Sequence, residues 1–466
     1  MAALRKRLCS SSSAGEDVLC DSAAVESLDD LQHPSAPLLC CHSVQDSLLS
    51  SNSSFTGYRG VLNWIIILLV LTHAHLFLEN FIQYGFLIDV KKVLGHMIED
   101  NCNWPSVNLL LASSMFILLS FLLERLQEKG LIPPTVTHRL HLTNLGLLVV
   151  FPAAVVLHVP TISTGGAFFS LWFYTTLGLK LYSYQEAKRW YRGARPDDSR
   201  RASVSPGEDM SSVLSAGLCY FLLAPTLCYQ RSFPCNPRVR VNKLLHRLLE
   251  GVVLIQIMVG IVQQWIEPIF QRSETSFCSM DTTMRVELLV GLAAPTHFLW
   301  LLFFFLTHSY LNFCAELLRF GDRHFYGDWW NATTLIDFWK NWNVPFQKWC
   351  DRHVYSQLVE RNVPPSQAEL LVFLMSAALC EYLIALPLHC CRLWIFIMMV
   401  IELLVALLLG KYFHGNYGNG LVWLCLLLGP PLAVTTYFHD HYVFDPHRSR
   451  QPSTQLPVDH GGLLQT

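Results

Sequence analysis

The sequence predicts an all-α, polytopic membrane protein with about nine transmembrane helices. Three observations carry this. Of its 466 residues, 52% are hydrophobic and only 15% are charged, which excludes an ordinary soluble domain. Several apolar runs reach the ~20 residues that a helix needs to cross ~30 Å of hydrocarbon. The basic residues collect in a few polar segments between those runs. Fifteen cysteines follow no repeating spacing and read as free thiols, with neither a disulfide framework nor a metal site. A formal net charge of −2 says less than where the charges sit.

Residues 1–57 are Ser-rich and polar and read as a disordered cytosolic tail with no cleavable signal peptide. Spans follow at 61–83, 104–126, 141–158 and 162–184. Residues 185–213 form a basic cytosolic linker. The apolar piece 214–230 is broken by Pro225 and flanked by positive charge on both sides. It is therefore expected to dip into the membrane, or lie on it, without crossing. Two further spans are expected at 244–266 and 286–313. A polar, aromatic segment at 314–366 precedes the last three, at 367–386, 393–410 and 421–439. Placing 127–140, 185–243 and 314–366 in the cytosol puts nearly all basic loops inside. That topology gives a membrane domain over 58–444 and a lumenal tail at 445–466.

Chemistry-bearing residues concentrate between His308 and Arg392. Five of the thirteen tryptophans lie between Trp329 and Trp349. Phe338, Trp342, Pro345 and Trp349 recur at steps of four, three and four, which makes one face of an interfacial helix. Asn341, Asn343, Gln347 and Lys348 turn elsewhere, and Pro345 disfavours helix at Val344. A gateway for an amphipathic substrate and a plain interfacial anchor both fit this pattern.

Beyond it, Phe373, Ala377, Cys380 and Ile384 share a face of the next span, with Glu381 one step around. An acid inside hydrocarbon is unfavourable unless it faces a cavity or a partner. Arg392 and Glu402 are its candidate partners, and an internal ion pair is the structural alternative. His439 and His441, two apart on a helix, point about 200° from one another and do not read as a metal pair. No nucleic-acid or phosphate-loop signature is present.

The run Phe325-Tyr326-Gly327-Asp328-Trp329-Trp330-Asn331 resembles the FYxDWWN signature of membrane-bound O-acyltransferases, in the branch holding the type 1-like diacylglycerol acyltransferases and the sterol acyltransferases. Similarity to that branch continues at 45–48, 58–64, 76–80, 224–229, 338–349, 413–423 and 437–442, and spans nearly all of 42–444. The resemblance implies a helical bundle around an internal acyltransferase chamber, in the endoplasmic reticulum membrane, as a homodimer with contacts near 45–64. It implies acyl-CoA as co-substrate with no other cofactor, and diacylglycerol or a related lipid alcohol as acceptor, so that triacylglycerol forms. It assigns acyl-CoA binding to Phe325, Tyr326, Asp328, Trp329, Trp330, Asn331, Trp342, Asn343, Gln347 and Lys348.

One departure matters most. Where the family's buried helix reads His-Glu-Tyr, with the histidine as general base, this chain reads Cys380-Glu381-Tyr382. Gln347 replaces a histidine, Glu402 and Pro430 replace glutamines, and Gly327 stands at a usually basic motif position. A thiol of reference pKa about 8.5 is mostly protonated at neutral pH and is a poor base. As a nucleophile it needs an activating base, and Glu381 and Glu402 are the remaining proton acceptors. Cys380, Glu381 and Glu402 are thus the candidate catalytic residues. Losing a general base lowers rates by roughly 10²–10⁴. Two readings stand: a diacylglycerol acyltransferase, weak or rearranged, or a catalytically impaired member that binds acyl-CoA or lipid or pairs with an active acyltransferase.

Overall fold

A computed structural model describes residues 104–159, 161–193, 210–230, 233–271 and 276–444, together with positions 78, 82 and 85. The expected tails at 1–57 and 445–466, the first span at 61–83 and the junction at 45–64 lie outside the described residues, as does most of the linker beyond Gly193. The described part is helical, with one isolated bridge between Cys235 and Phe320.

The helices are α1 (Trp104–Glu128), α2 (Pro134–His158), α3 (Thr164–Gly193), α4 (Met210–Leu223), α5 (Val241–Ile261), α6 (Thr282–Leu317), α7 (Leu335–Trp342), α8 (Val344–Cys350), α9 (Pro365–Ala385), α10 (Trp394–Leu409), α11 (Gly415–Leu428) and α12 (Pro430–Phe444). Among the described residues, six stretches are long and apolar enough to cross a membrane: α1, α2, α5 with its continuation to Gln271, α6, α9, and Gly415–Val443. α10 is apolar but only 16 residues long. α3 has 30 residues yet is not among the six, because it carries buried polar groups such as Lys180, Ser183 and Glu186.

Several boundaries differ from the sequence expectation for identifiable reasons. α2 starts at Pro134, seven residues early, since proline fits the first helical turn. α3 runs nine residues past 184, where Arg192 donates to Glu124 at 2.6 Å and Lys188 to Glu128 at 3.4 Å, tying its polar end to α1. α4 stops before Pro225 and, at roughly 21 Å, is too short to span. Its orphaned C-terminal carbonyls are held by Lys180 of α3, whose Nζ donates to Phe221 (3.1 Å), Leu222 (2.7 Å) and Ala224 (2.7 Å). The expected last span, 421–439, lies across a break at Gly429. Pro430 and Pro431 have no N–H to offer the carbonyls of Leu426 and Leu427, so α11 ends there and α12 starts.

Three packed clusters frame the interior. Leu109, Leu148, Leu171, Leu177 and Leu181 join α1, α2 and α3. Ala377, Met399 and Tyr437 join α9, α10 and α12. An aromatic cluster of Phe304, Trp329, Phe338 and Val422 joins α6, the FYGDWWN turn, α7 and α11.

Candidate active site

A cavity of about 1060 Å³ lies between α3, the interfacial helices α7 and α8, α9 and α10. Trp172 and Leu179 of α3, Trp339, Trp342 and Phe346 of α7 and α8, and Phe373 of α9 give it aromatic and apolar walls. Glu369 lines it at the start of α9. Cys380 lines it eleven residues further along the same helix, roughly 16 Å deeper at 1.5 Å per residue.

The interfacial segment is two helices, with the break at Asn343 rather than Val344. Asn343 takes φ −137° and ψ 80°, and its side chain accepts from the Phe346 N–H. Pro345 occupies the first turn of α8, where its missing N–H is no loss. The bend turns Trp342 and Asn343 to the cavity.

The FYGDWWN run stands behind that bend. The Phe325 carbonyl accepts from the Val344 N–H at 3.1 Å, and the Gly327 N–H donates to the Asn341 carbonyl at 2.9 Å. Phe325 is buried against Ala224, Ala315 and Phe320. Tyr326 Oη lies 2.6 Å from His308 Nδ1. Trp329 packs edge-on to Trp342 at 5.0 Å, while Trp342 stacks on Trp300 at 4.6 Å. Asp328, Trp330 and Asn331 are exposed, and the Trp330 carbonyl accepts from Asn419 at 3.0 Å. A side chain on Gly327 would run into the side chain of Asn341, which explains how glycine fits at this motif position.

Of the residues assigned to acyl-CoA, Trp342, Asn343 and Gln347 line the cavity, and the others do not. Gln347 donates to Asp351 at 2.9 Å. Burial, opposed by that hydrogen bond, lifts the Asp351 carboxyl above its ordinary range. Lys348 pairs with Asp322 at 3.1 Å. Burial opposes, but that ammonium and the His324 N–H hold the Asp322 carboxyl below its ordinary range.

The three catalytic candidates separate. Cys380 lines the cavity. Glu381 is turned to its own partners: Oε2 accepts from the Ile395 and Phe396 N–H groups, both at 3.1 Å, and Oε1 accepts from Tyr437 Oη at 2.5 Å. It therefore caps the N-terminus of α10, whose preceding residue Leu393 sits at φ +59°. This corrects the partners expected from sequence, because Arg392 pairs with Asp440 at 2.8 Å instead. Glu402 is 4% exposed, sits against Gly429, and has no hydrogen-bond partner for either oxygen among the described residues; it is not part of the cavity lining. Sequence reasoning did not single out Trp339, Phe346 or Thr175 and Thr176 of α3 as cavity residues. The apolar face read from the sequence ran through Phe338, Trp342, Pro345 and Trp349, so Trp339 and Phe346 lie one position off it, and nothing local marks the two threonines.

Fold and cavity together define a multi-pass membrane protein with a partly open, aromatic-walled chamber of about 1060 Å³. The description "MBOAT, membrane-bound O-acyltransferase family" matches residues 133–439, and the chain belongs to that family. Among its relatives, Diacylglycerol O-acyltransferase 1 of Homo sapiens is 43% identical over 420 residues, covering 87% of this chain and 85% of that protein. The Chlorocebus aethiops protein of the same name is 43% identical over 415 residues, covering 87% and 84%. The Dictyostelium discoideum protein is 31% identical over 426 residues, covering 89% and 68%.

Proposed function

We propose that this chain is an acyl-CoA-dependent O-acyltransferase of the diacylglycerol type, joining a fatty acyl group to the hydroxyl of diacylglycerol or a related lipid alcohol. The reaction breaks the thioester C–S bond and forms the ester C–O bond, and the hydroxyl proton ends on the departing coenzyme A sulfur. The observation that carries this reading is the chamber of about 1060 Å³ with Cys380 deep on α9, in a chain 43% identical to diacylglycerol acyltransferases along most of its length.

Trp342, Asn343 and Gln347 contact the donor, while Phe325, Tyr326, Asp328, Trp329, Trp330, Asn331 and Lys348 support them from behind. Cys380 stands at the reacting end. Glu402, buried beside the chamber-lining Leu403 and with no hydrogen-bond partner among the described residues, is the remaining proton acceptor although it does not itself line the chamber, and Glu381 acts by positioning α10. Acyl-CoA is the co-substrate, no further cofactor takes part, and the working form is a homodimer in the endoplasmic reticulum membrane.

A second reading is favoured by one observation. The acid beside Cys380 is already fully engaged with Ile395, Phe396 and Tyr437, which leaves the thiol without an adjacent base. On that reading the chain is a catalytically impaired member that binds acyl-CoA or lipid, or partners an active acyltransferase.

The two are separated by expressing wild type and Cys380→His in cells lacking neutral-lipid acyltransferases and measuring incorporation of labelled oleoyl-CoA. Ester above background from wild type supports the enzyme. None from wild type with recovery in Cys380→His supports the impaired member and identifies the base as the missing part. None from either sinks the enzyme reading for this acceptor.

A further inference from the structure

A second cleft, about 600 Å³, adjoins the chamber and has a different chemistry. Arg189 and Trp190 from the end of α3 form one wall. Arg352, in the helical continuation of α8 at Asp351–Tyr355, and Arg361, just after the short helix Ser356–Glu360, form the other. Ser356 lines both this cleft and the chamber.

The chamber itself offers little to a polyanion. Lys340, the cation in its lining, pairs with Glu369 at 3.4 Å, and Asp351 adds a further acid. Lys348, outside the lining, is paired with Asp322. An acyl-CoA ester carries a diphosphate and a 3′-phosphate, so its nucleotide end has no cationic seat there.

The neighbouring cleft supplies one. Three guanidiniums face two carboxylates, Glu186 and Glu360, and Glu186 is turned to Arg189 at 3.5 Å. Guanidinium forks suit phosphate oxygens, which they can grip with two parallel hydrogen bonds. Arg352 is pre-ordered for this: it lies over the face of Trp190 at 5.0 Å and donates one N–H to the Tyr229 carbonyl at 2.9 Å. A guanidinium has five N–H donors, so donors remain beyond the Tyr229 carbonyl and the Cys228 thiol that it also contacts. Trp190 is fixed in turn by stacking on His353 at 5.4 Å. The cleft's volume lies within the range that holds small ligands.

We propose that this arginine cleft seats the phosphorylated nucleotide end of the acyl donor, with the pantetheine arm passing Ser356 and the acyl chain in the chamber. This rests on the reading of the chain as acyl-CoA-dependent. The discriminating residues are Arg189 and Arg361, whose side chains can be reversed in charge without removing the Tyr229 contact that Arg352 makes.

The test measures equilibrium binding to the full-length chain in phosphatidylcholine nanodiscs. Labelled oleoyl-CoA is compared with oleoyl-pantetheine, which has the same thioester and arm but no nucleotide. Arg189→Glu with Arg361→Glu is expected to weaken oleoyl-CoA by about tenfold or more, and oleoyl-pantetheine by less than about twofold, since each tenfold needs only one lost charge-assisted contact. Equal losses for both ligands overturn the proposal, because they report damage to the chamber. Unchanged oleoyl-CoA binding also overturns it, and if binding to phosphatidylserine vesicles falls in the same variant, the cleft belongs to lipid headgroups. Binding is read without ester formation, so an inactive chain does not affect the result. An active chain whose KM for oleoyl-CoA ignores the charge reversals overturns this inference and leaves the acyltransferase reading intact.

Discussion

The FYGDWWN corner, which backs the cavity wall at the Asn343 bend, and helix α9, which lines the cavity itself, are built in opposite ways. At the corner, function-bearing positions are held by many redundant contacts. Backbone bonds run from Phe325 to Val344 and from Gly327 to Asn341, and Trp342 is wedged between Trp300 and Trp329. On α9 a single side chain, Glu381, ties together α10 and Tyr437 of α12, and its neighbour Cys380 turns to the cavity along with Phe373, Ser376 and Leu379 of the same helix. Redundancy lets the corner drift in sequence, as at Gly327, while keeping its shape. A helix organised through one carboxylate keeps that carboxylate and leaves the adjacent reacting position free to change.

The comparison is sharpened most by chemistry at position 380. If the scaffold on α9 is intact, Cys380→His restores a general base and raises the esterification rate by roughly 10²–10⁴, read as initial rates with labelled oleoyl-CoA in microsomes. Next in size is Glu381→Leu. It strips the acceptor from two backbone N–H groups and a tyrosine hydroxyl inside the bundle, each costing about 1–3 kcal/mol when left unpaired. Loss of the folded peak in detergent gel filtration is the expected outcome, and a variant that elutes like wild type would show that Glu381 does not hold α10. At the redundant corner, Gly327→Arg collides with the side chain of Asn341, its Oδ1 and Cγ above all. It is expected to cost about 1–3 kcal/mol, seen as a lower Tm with the chain still folded.

A pH experiment probes the packing behind the arginine cleft, where Trp190 stacks on His353. His353 is buried, with Nε2 2.9 Å from Ser183 Oγ, and burial, with Arg352 beside it, pushes its imidazole down to about 4. Its ordinary value is about 6.5, so as pH falls below that, the unfolded chain takes up the proton first. The stability it contributes is complete above about pH 6.5 and is lost as pH drops towards 4, at most about 3 kcal/mol. The fall in Tm between pH 7 and pH 5 is expected to be smaller in His353→Gln than in wild type. Equal falls would mean that His353 is not the titrating group.

How much of this was legible in the sequence follows from how local each signal is. Apolar runs specify helices because hydrocarbon demands satisfied backbone groups, so α1, α6 and α9 lie within a few residues of their expected places. Helix ends were less legible, since those of α3 and α4 depend on Arg192 reaching Glu124 and Lys180 reaching Phe221, Leu222 and Ala224, contacts between residues 41 to 68 apart. The resemblance marked both the corner and Cys380, but not which residues face the cavity. That Phe325 and Trp329 turn away while Trp339 and Phe346 turn in is decided by the bend at Asn343, whose side chain caps the helix that follows it. The role of Glu381 was hidden for a related reason. Its partners lie 14, 15 and 56 residues away, while the nearer candidate, Arg392, is drawn off by Asp440.

The smallest expected effect is at Lys348, the cation that the resemblance attached to acyl-CoA. Its ammonium is about half exposed and engaged with Asp322, which is similarly exposed. Such pairs contribute about 0.2–1 kcal/mol, so Lys348→Gln is expected to lower Tm by no more than a degree or two in a chain of this size. Because it sits outside the cavity lining, the same variant should leave the Kd for oleoyl-CoA within about twofold of wild type. A tenfold loss would place the phosphates at the corner and move the nucleotide seat away from Arg189 and Arg361. A change within twofold keeps the corner as scaffold, with its tryptophans shaping the chamber and its charges serving only one another.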